Sequence, residues 1–122
     1  MSKIVNSLKK KCLKSNKDII SKKLAIQSFG NVSQRIDDNL FIIKPSGVNL
    51  KKINSKELVV IAINSGKIIN GKLRPSSDTE THRIIYKKFP LIKGIAHAHP
   101  TFLTSWAQTG KEIPNLGTTF NY

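Results

Sequence analysis

His97 and His99 flank a single alanine at the end of an apolar run, Ile92 to His99, that reads as a strand. Side chains two residues apart in a strand project from the same face. The two imidazoles therefore form a ready chelate for a divalent ion such as zinc. Asp78 is placed to close back on them as an oxygen ligand. Three protein ligands leave coordination positions open, which suits a catalytic metal better than a structural one. Ser76 and Ser77 precede Asp78, and a helix-like run from Thr79 to Phe89 follows it. Taken singly these signals are weak. Most His-x-His pairs hold no metal, and a serine pair before a helix is often only a cap. Ser77 and Glu80 indeed fit the Ser-x-x-Glu capping box.

Two other stretches share the chemistry of the serine pair. Gly30-Asn31 permits positive φ and bares backbone N–H groups, although alone it reads as an ordinary turn. Lys44-Pro45-Ser46-Gly47 adds a hydroxyl and a point charge. If the three loops converge, their small residues, hydroxyls and free N–H donors make a phosphate pocket. The positive end of the helix starting near Thr79 would face the anion.

The elements that must position these loops can be read in outline. Residues 3–15 suit an amphipathic helix with Ile4, Leu8 and Cys12 on one face, ended by Asn16, and 15–23 suit a polar loop. Arg35 to Asn39 reads as a turn, Leu40 to Ile43 as a strand, and Asn54 to Glu57 as a short capped turn. Leu58 to Ile63 reads as a buried strand that turns at Ser65-Gly66 and pairs with Lys67 to Asn70. Ile84, Ile85 and Phe89 give the 79–89 helix its apolar side, and Pro90 stops it. Pro100 suits the first position of a last helix, which runs through Trp106 to Thr109 and stops at Gly110. The remainder, 113–122, reads as irregular.

Composition bounds the function classes. The 122 residues make one domain with a modest core, and no apolar run is long enough to span a membrane. Lysines interrupt the first apolar residues, so no signal peptide is expected. The single cysteine, Cys12, excludes an internal disulfide and fits a reducing cytoplasm. A net charge of +14 suggests an anionic partner. Yet 18 of the 21 basic residues are Lys, spread along the whole chain without interleaved aromatics. Specific nucleic-acid recognition is therefore not expected, although weak affinity for polyanions is.

In order and in register, Gly-Asn-Val-Ser at 30–33, Lys-Pro-Ser-Gly-Val at 44–48, Pro-Ser-Ser-Asp-Thr at 75–79 with His82, and His-Ala-His at 97–99 resemble the class II aldolase/adducin family. Trp106-Ala107-Gln108, Ile113-Pro114 and Gly117-Thr118-Thr119 extend the resemblance, which runs from about residue 3 to 119. Lys44 and Asp78 match the pentulose-phosphate 4-epimerase branch. Its sister sugar-phosphate aldolases typically carry a threonine and a glutamate at these places.

The resemblance implies an α/β/α layered fold around a central, mostly antiparallel sheet, with 1–122 forming the N-terminal half of the family domain. It implies Asp78, His97 and His99 as ligands of one Zn²⁺, and Gly30, Asn31, Lys44, Ser46, Gly47, Ser76 and Ser77 around the substrate phosphate. The implied reaction is retro-aldol cleavage and re-addition, interconverting L-ribulose 5-phosphate and D-xylulose 5-phosphate in pentose catabolism by a cytoplasmic homotetramer. The family's third metal-binding histidine and its catalytic aspartate and tyrosine have no match in these residues, so no catalytic residue is assigned. Half a domain would leave sheet edges and one sheet face bare. The alternatives are a non-catalytic remnant of such an enzyme and a related class II aldolase.

Overall fold

The computed structural model describes residues 2–26 and 28–115. Its elements are α1 (Lys3–Ser21), β1 (Asn31–Arg35), β2 (Leu40–Ile43), a 3-10 turn (Ser55–Glu57), β3 (Val59–Ala62), β4 (Ile68–Asn70), α2 (Thr79–Lys88), β5 (Gly94–His97) and α3 (Thr101–Gln108). The strands form one sheet in the order β4-β3-β2-β1-β5, with every neighbouring pair antiparallel. The chain leaves the sheet at β4, passes through α2, and re-enters at the opposite edge as β5.

Strict alternation along β2 and β3 sends side chains to two cores. Ile42 and Val60 pack with Cys12 and Ile19 of α1 and with Leu50, Ile53 and Leu58. Phe41, Ile43, Val59 and Ile61 pack with Ile63 and with Tyr86 of α2. The Phe41 and Tyr86 rings lie 5.1 Å apart in a tilted arrangement. The expected α/β/α layering is present, but the expected bare sheet face is not, because both faces of β2 and β3 carry a core. The sheet edges remain uncovered by further strands at β4 and β5.

Four local expectations are corrected. Asn16 does not end α1, and the polar stretch after it stays helical to Ser21. Its amide points inward, where Nδ2 donates to the carbonyls of Cys12 (2.8 Å) and Val32 (2.9 Å) and Oδ1 accepts from the Val32 N–H (2.9 Å). The side chain docks α1 on β1 while also bonding the helix's own backbone one turn back, at Cys12 O. Ile4 is exposed, so the buried face runs instead through Lys9, Cys12, Asn16 and Ile19. On α2, Ile84 and Phe89 are exposed while His82 and Tyr86 are buried. Polar partners inside the fold decide that face. Finally, Arg35 belongs to β1, not to the turn after it. Its guanidinium donates to the carbonyls of Ile92 (2.8 Å), Tyr86 (2.5 Å) and Phe89 (3.2 Å), fastening the end of α2 and the chain after it to the sheet.

Candidate functional site

Antiparallel pairing gathers the site at one end of the sheet. The start of β1 lies beside the end of β5, with Asn31 opposite His97. The end of β2 comes to the same side, so Lys44 and the loop after it arrive there too. The 75–78 loop is tied to that loop directly. Pro45 and Pro75 form an isolated β-bridge, the Ser46 N–H donates to Arg74 O (2.9 Å), and the Ser76 N–H donates to Lys44 O (3.0 Å).

All ten residues singled out in the sequence line one cavity of about 430 Å³: Gly30, Asn31, Lys44, Ser46, Gly47, Ser76, Ser77, Asp78, His97 and His99. One expectation about them changes. The backbone N–H groups of Ser46 and Ser76 are not available to an anion, because each is spent on the bridge between the loops. The Ser77–Glu80 capping box is also absent. Glu80 binds Arg83 instead, at 2.6 and 2.8 Å, and Asp78, the residue that caps α2, makes no side-chain cap bond.

Gly30 is required twice over. Its φ is +82°, and a Cβ there would sit 2.9 Å from His97 O and 2.9 Å from Ala25 Cβ. That close approach brings the loop before β1 against the end of β5. Lys44 is buried, and its Nζ donates to the carbonyls of Ser28 (3.1 Å) and Pro45 (3.3 Å). One of its three donors remains for the cavity. Burial lowers the Lys44 pKa, and the Asp78 charge opposes that shift.

Asp78 is the hub. Its Oδ2 accepts from Asn31 Nδ2 (2.6 Å) and meets His97 Nδ1 at 2.5 Å. Burial raises the Asp78 carboxyl, but the bonds from His97 and Asn31 and the nearby imidazole charges outweigh it and hold the group below its ordinary value. The His99 ring lies 4.6 Å from that of His97, and the His99 N–H donates to Leu24 O (2.9 Å). Asn31 Oδ1 is buried without a hydrogen-bond partner among the described residues, an acceptor that suits a hydroxyl donor from a ligand. Behind the cavity, His82 Nδ1 meets Ser33 Oγ at 2.7 Å, and Ser33 Oγ meets Tyr86 OH at 2.8 Å. Burial pushes the His82 pKa down to about 4, against the pull of Asp78.

Two imidazoles and a carboxylate are the right donor types for a borderline ion such as zinc. Among the described residues, no three such side chains already stand as a metal-binding group. Asp78 and His97 bond each other, and an ion would take the place of that hydrogen bond. The fit is therefore one of donor chemistry and proximity within one cavity.

The sequence reading missed Ser28 and Phe29 in the cavity wall, and the Ser33–Tyr86 support behind it. Ser33 was findable, since it stands two residues after Asn31 on the same face of β1. Ser28 contributes through its carbonyl, which no side-chain motif reveals. Gly117, Thr118, Thr119 and Tyr122 lie outside the described residues.

The class II aldolase and adducin N-terminal domain matches residues 10–122. Over 118 residues the chain is 42% identical to the probable L-ribulose-5-phosphate 4-epimerase UlaF of Mycoplasma pneumoniae, an alignment covering 96% of this chain and 49% of that protein. Its fold is similar to an L-fuculose 1-phosphate aldolase, with a TM-score of 0.82 and 30% identity over 94% of this chain and 53% of the other. It is also similar to YgbL, a putative aldolase/epimerase/decarboxylase from Klebsiella pneumoniae, with a TM-score of 0.75 and 28% identity over 83% of this chain and 48% of the other. The chain spans about half the length of the relatives it matches.

Proposed function

Because this chain belongs to the class II aldolase and adducin family, we propose that it carries the metal and phosphate sites of an L-ribulose-5-phosphate 4-epimerase. The observation that carries this reading is the gathering of the three loops and the His-Ala-His strand end around one cavity. The identity to a probable epimerase supports a pentulose phosphate as substrate over the substrate of the fuculose-phosphate aldolase.

In this reading Lys44 presents one ammonium donor to the phosphate, held in place by the Ser28 and Pro45 carbonyls. The hydroxyls of Ser46, Ser76 and Ser77 and the backbone at Gly47 complete the cradle, and Gly30 lets Asn31 approach. Asn31 Oδ1 accepts from a sugar hydroxyl. Asp78, His97 and His99 would hold a divalent ion, with zinc suited to the donors. When bound, the ion supplies Lewis-acid polarisation of the ketose C2 carbonyl and C3 hydroxyl oxygens. Asn31 orients Asp78, and His82, backed by Ser33, fills the wall behind without a charge near neutral pH. Holding the phosphate keeps the two cleavage fragments together, so that re-addition is effectively intramolecular. The groups that move protons are unassigned among these residues. The homotetramer and the cytoplasmic location belong to the same proposal. Among the described residues no helix is long and apolar enough to cross a membrane.

The test is interconversion of L-ribulose 5-phosphate and D-xylulose 5-phosphate by the zinc-loaded chain, with zinc and substrate affinity measured in parallel. Expected are saturable binding of both, and loss of zinc affinity by at least tenfold in His97→Asn. Absence of zinc and sugar-phosphate binding would remove this reading altogether. Binding with turnover at background would favour the non-catalytic remnant, and cleavage of L-fuculose 1-phosphate the related aldolase.

A further inference from the structure

At the sheet edge opposite the site, α1, the 3-10 turn and β4 enclose a cavity of about 440 Å³ lined by Asn6, Lys9, Lys10, Ser55, Lys56 and Asn70. The sheet order puts three strands between β4, which contributes Asn70, and β5, which ends at His97. The two cavities are therefore separate.

Lys9 is only 5% exposed. Its Nζ donates to Leu58 O (2.7 Å) and to Asn70 Oδ1 (2.9 Å). Both acceptors are neutral, and an ammonium has a third donor. Among the described residues no carboxylate pairs with Lys9, Lys10 or Lys56. The neighbouring acid is engaged elsewhere, since Glu57 Oε2 accepts from the Asn54 N–H (2.7 Å). A buried cation without a counter-charge is costly, and burial lowers the Lys9 pKa accordingly. An anion in the cavity would supply the missing charge and accept the remaining donor.

We propose that this cleft is a second anion site, remote from His97, which takes the phosphate group of a small molecule, free or esterified. Lys9 provides a fixed donor at its floor. Lys10 and Lys56, both exposed, provide mobile charge at its mouth. Asn6, Ser55 and Asn70 provide neutral hydrogen-bonding groups. The cavity is larger than a phosphate ion, so an organic residue attached to the phosphate has room.

Amide chemical-shift mapping on the full chain separates this site from the first. Titration with inorganic phosphate and with glucose 6-phosphate is expected to give saturable shifts at Ser55, Lys56 and Asn70, following a binding curve distinct from that of Gly47 and Ser77. In Lys10→Ala/Lys56→Ala the dissociation constant read at Ser55 and Asn70 is expected to rise at least tenfold, with the Gly47 and Ser77 curve unchanged. Lys9→Met is expected to abolish the curve read at Ser55 and Asn70. If that variant fails to fold, the double variant still decides, because both of its side chains are exposed. Tighter binding of the ester would identify a phosphorylated metabolite as the source, and equal binding the free ion. Shifts confined to Gly47 and Ser77, or an unchanged constant in the double variant, would overturn the proposal. So would an oligonucleotide that binds the cleft more tightly than either probe.

Discussion

Asn16 shows how one amide ties a helix to a strand. It bonds the Val32 N–H and the Val32 carbonyl from a fully buried position. Asn16→Ala strands those groups away from water, so a loss of roughly 2–3 kcal/mol is expected in urea unfolding. Cys12, one turn earlier on the helix, supplies a pH signature. Burial pushes its thiol up to about 12, and burial likewise pushes the Tyr86 phenol up to about 12. Both folded values lie above the unfolded ones, so the unfolded chain releases these protons first. The stability they protect is complete below pH 9 and is lost as the pH rises toward 12. Denaturant titrations between pH 8 and 10.5 should show that fall, and Cys12→Ala should flatten its first part, below the ordinary range of tyrosine. At this scale the candidate site was legible because its residues are chemically unusual where they stand: Asp78 beside two serines, and histidines two apart. The supporting groups were not. Ser33 and Tyr86 look like ordinary strand and helix residues until the fold brings Ser33 Oγ between Tyr86 OH and His82 Nδ1.

Elements were legible where local pattern and tertiary demand agree. The β2 strand, the β3–β4 hairpin and the cap at Asn54 each have a short-range cause, and the Asn54 side chain does accept from the Lys56 N–H while Glu57 closes the box. The second half of α1 and the buried face of α2 were not legible, because the deciding partners lie on β1, far away in sequence. The loop bridge was hidden for the same reason: residues some thirty apart take each other's N–H donors. Two glycines in these loops separate conformation from space. Gly47 has φ +69° with nothing within 4 Å of a built Cβ, whereas Gly30 has φ +82° with two atoms at 2.9 Å. Gly47→Ala should therefore cost only the left-handed strain, about 1–2 kcal/mol. Gly30→Ala adds a clash with backbone that cannot turn aside, and should cost clearly more while shifting the amide resonances of β5. Equal unfolding midpoints for the two variants would refute the close packing of this loop against His97.

At the scale of the whole molecule, apolar surface is divided unevenly. The two cores take up the apolar residues of β2 and β3 and most of those of α1, while Leu91 and Phe102 stand 88% and 90% exposed. Neither contributes to a core, so neither holds the fold together. Substituting both by serine should leave the urea midpoint within about 0.5 kcal/mol of the parent. The same change removes two large hydrophobic side chains from water, so binding of a hydrophobic dye to the native chain should fall, as should self-association measured by light scattering at high concentration. A loss of stability above about 1 kcal/mol would mean that the start of α3 or the turn after α2 is packed in solution, contrary to its exposure here. The cavity at His97 does not depend on these exposed side chains. That site is held by β1, the loop after β2 and the Pro45–Pro75 bridge, all of them rooted in the buried sheet. Zinc or sugar-phosphate affinity should therefore survive the double serine change, and its loss would tie the site to surface that the two cores leave bare.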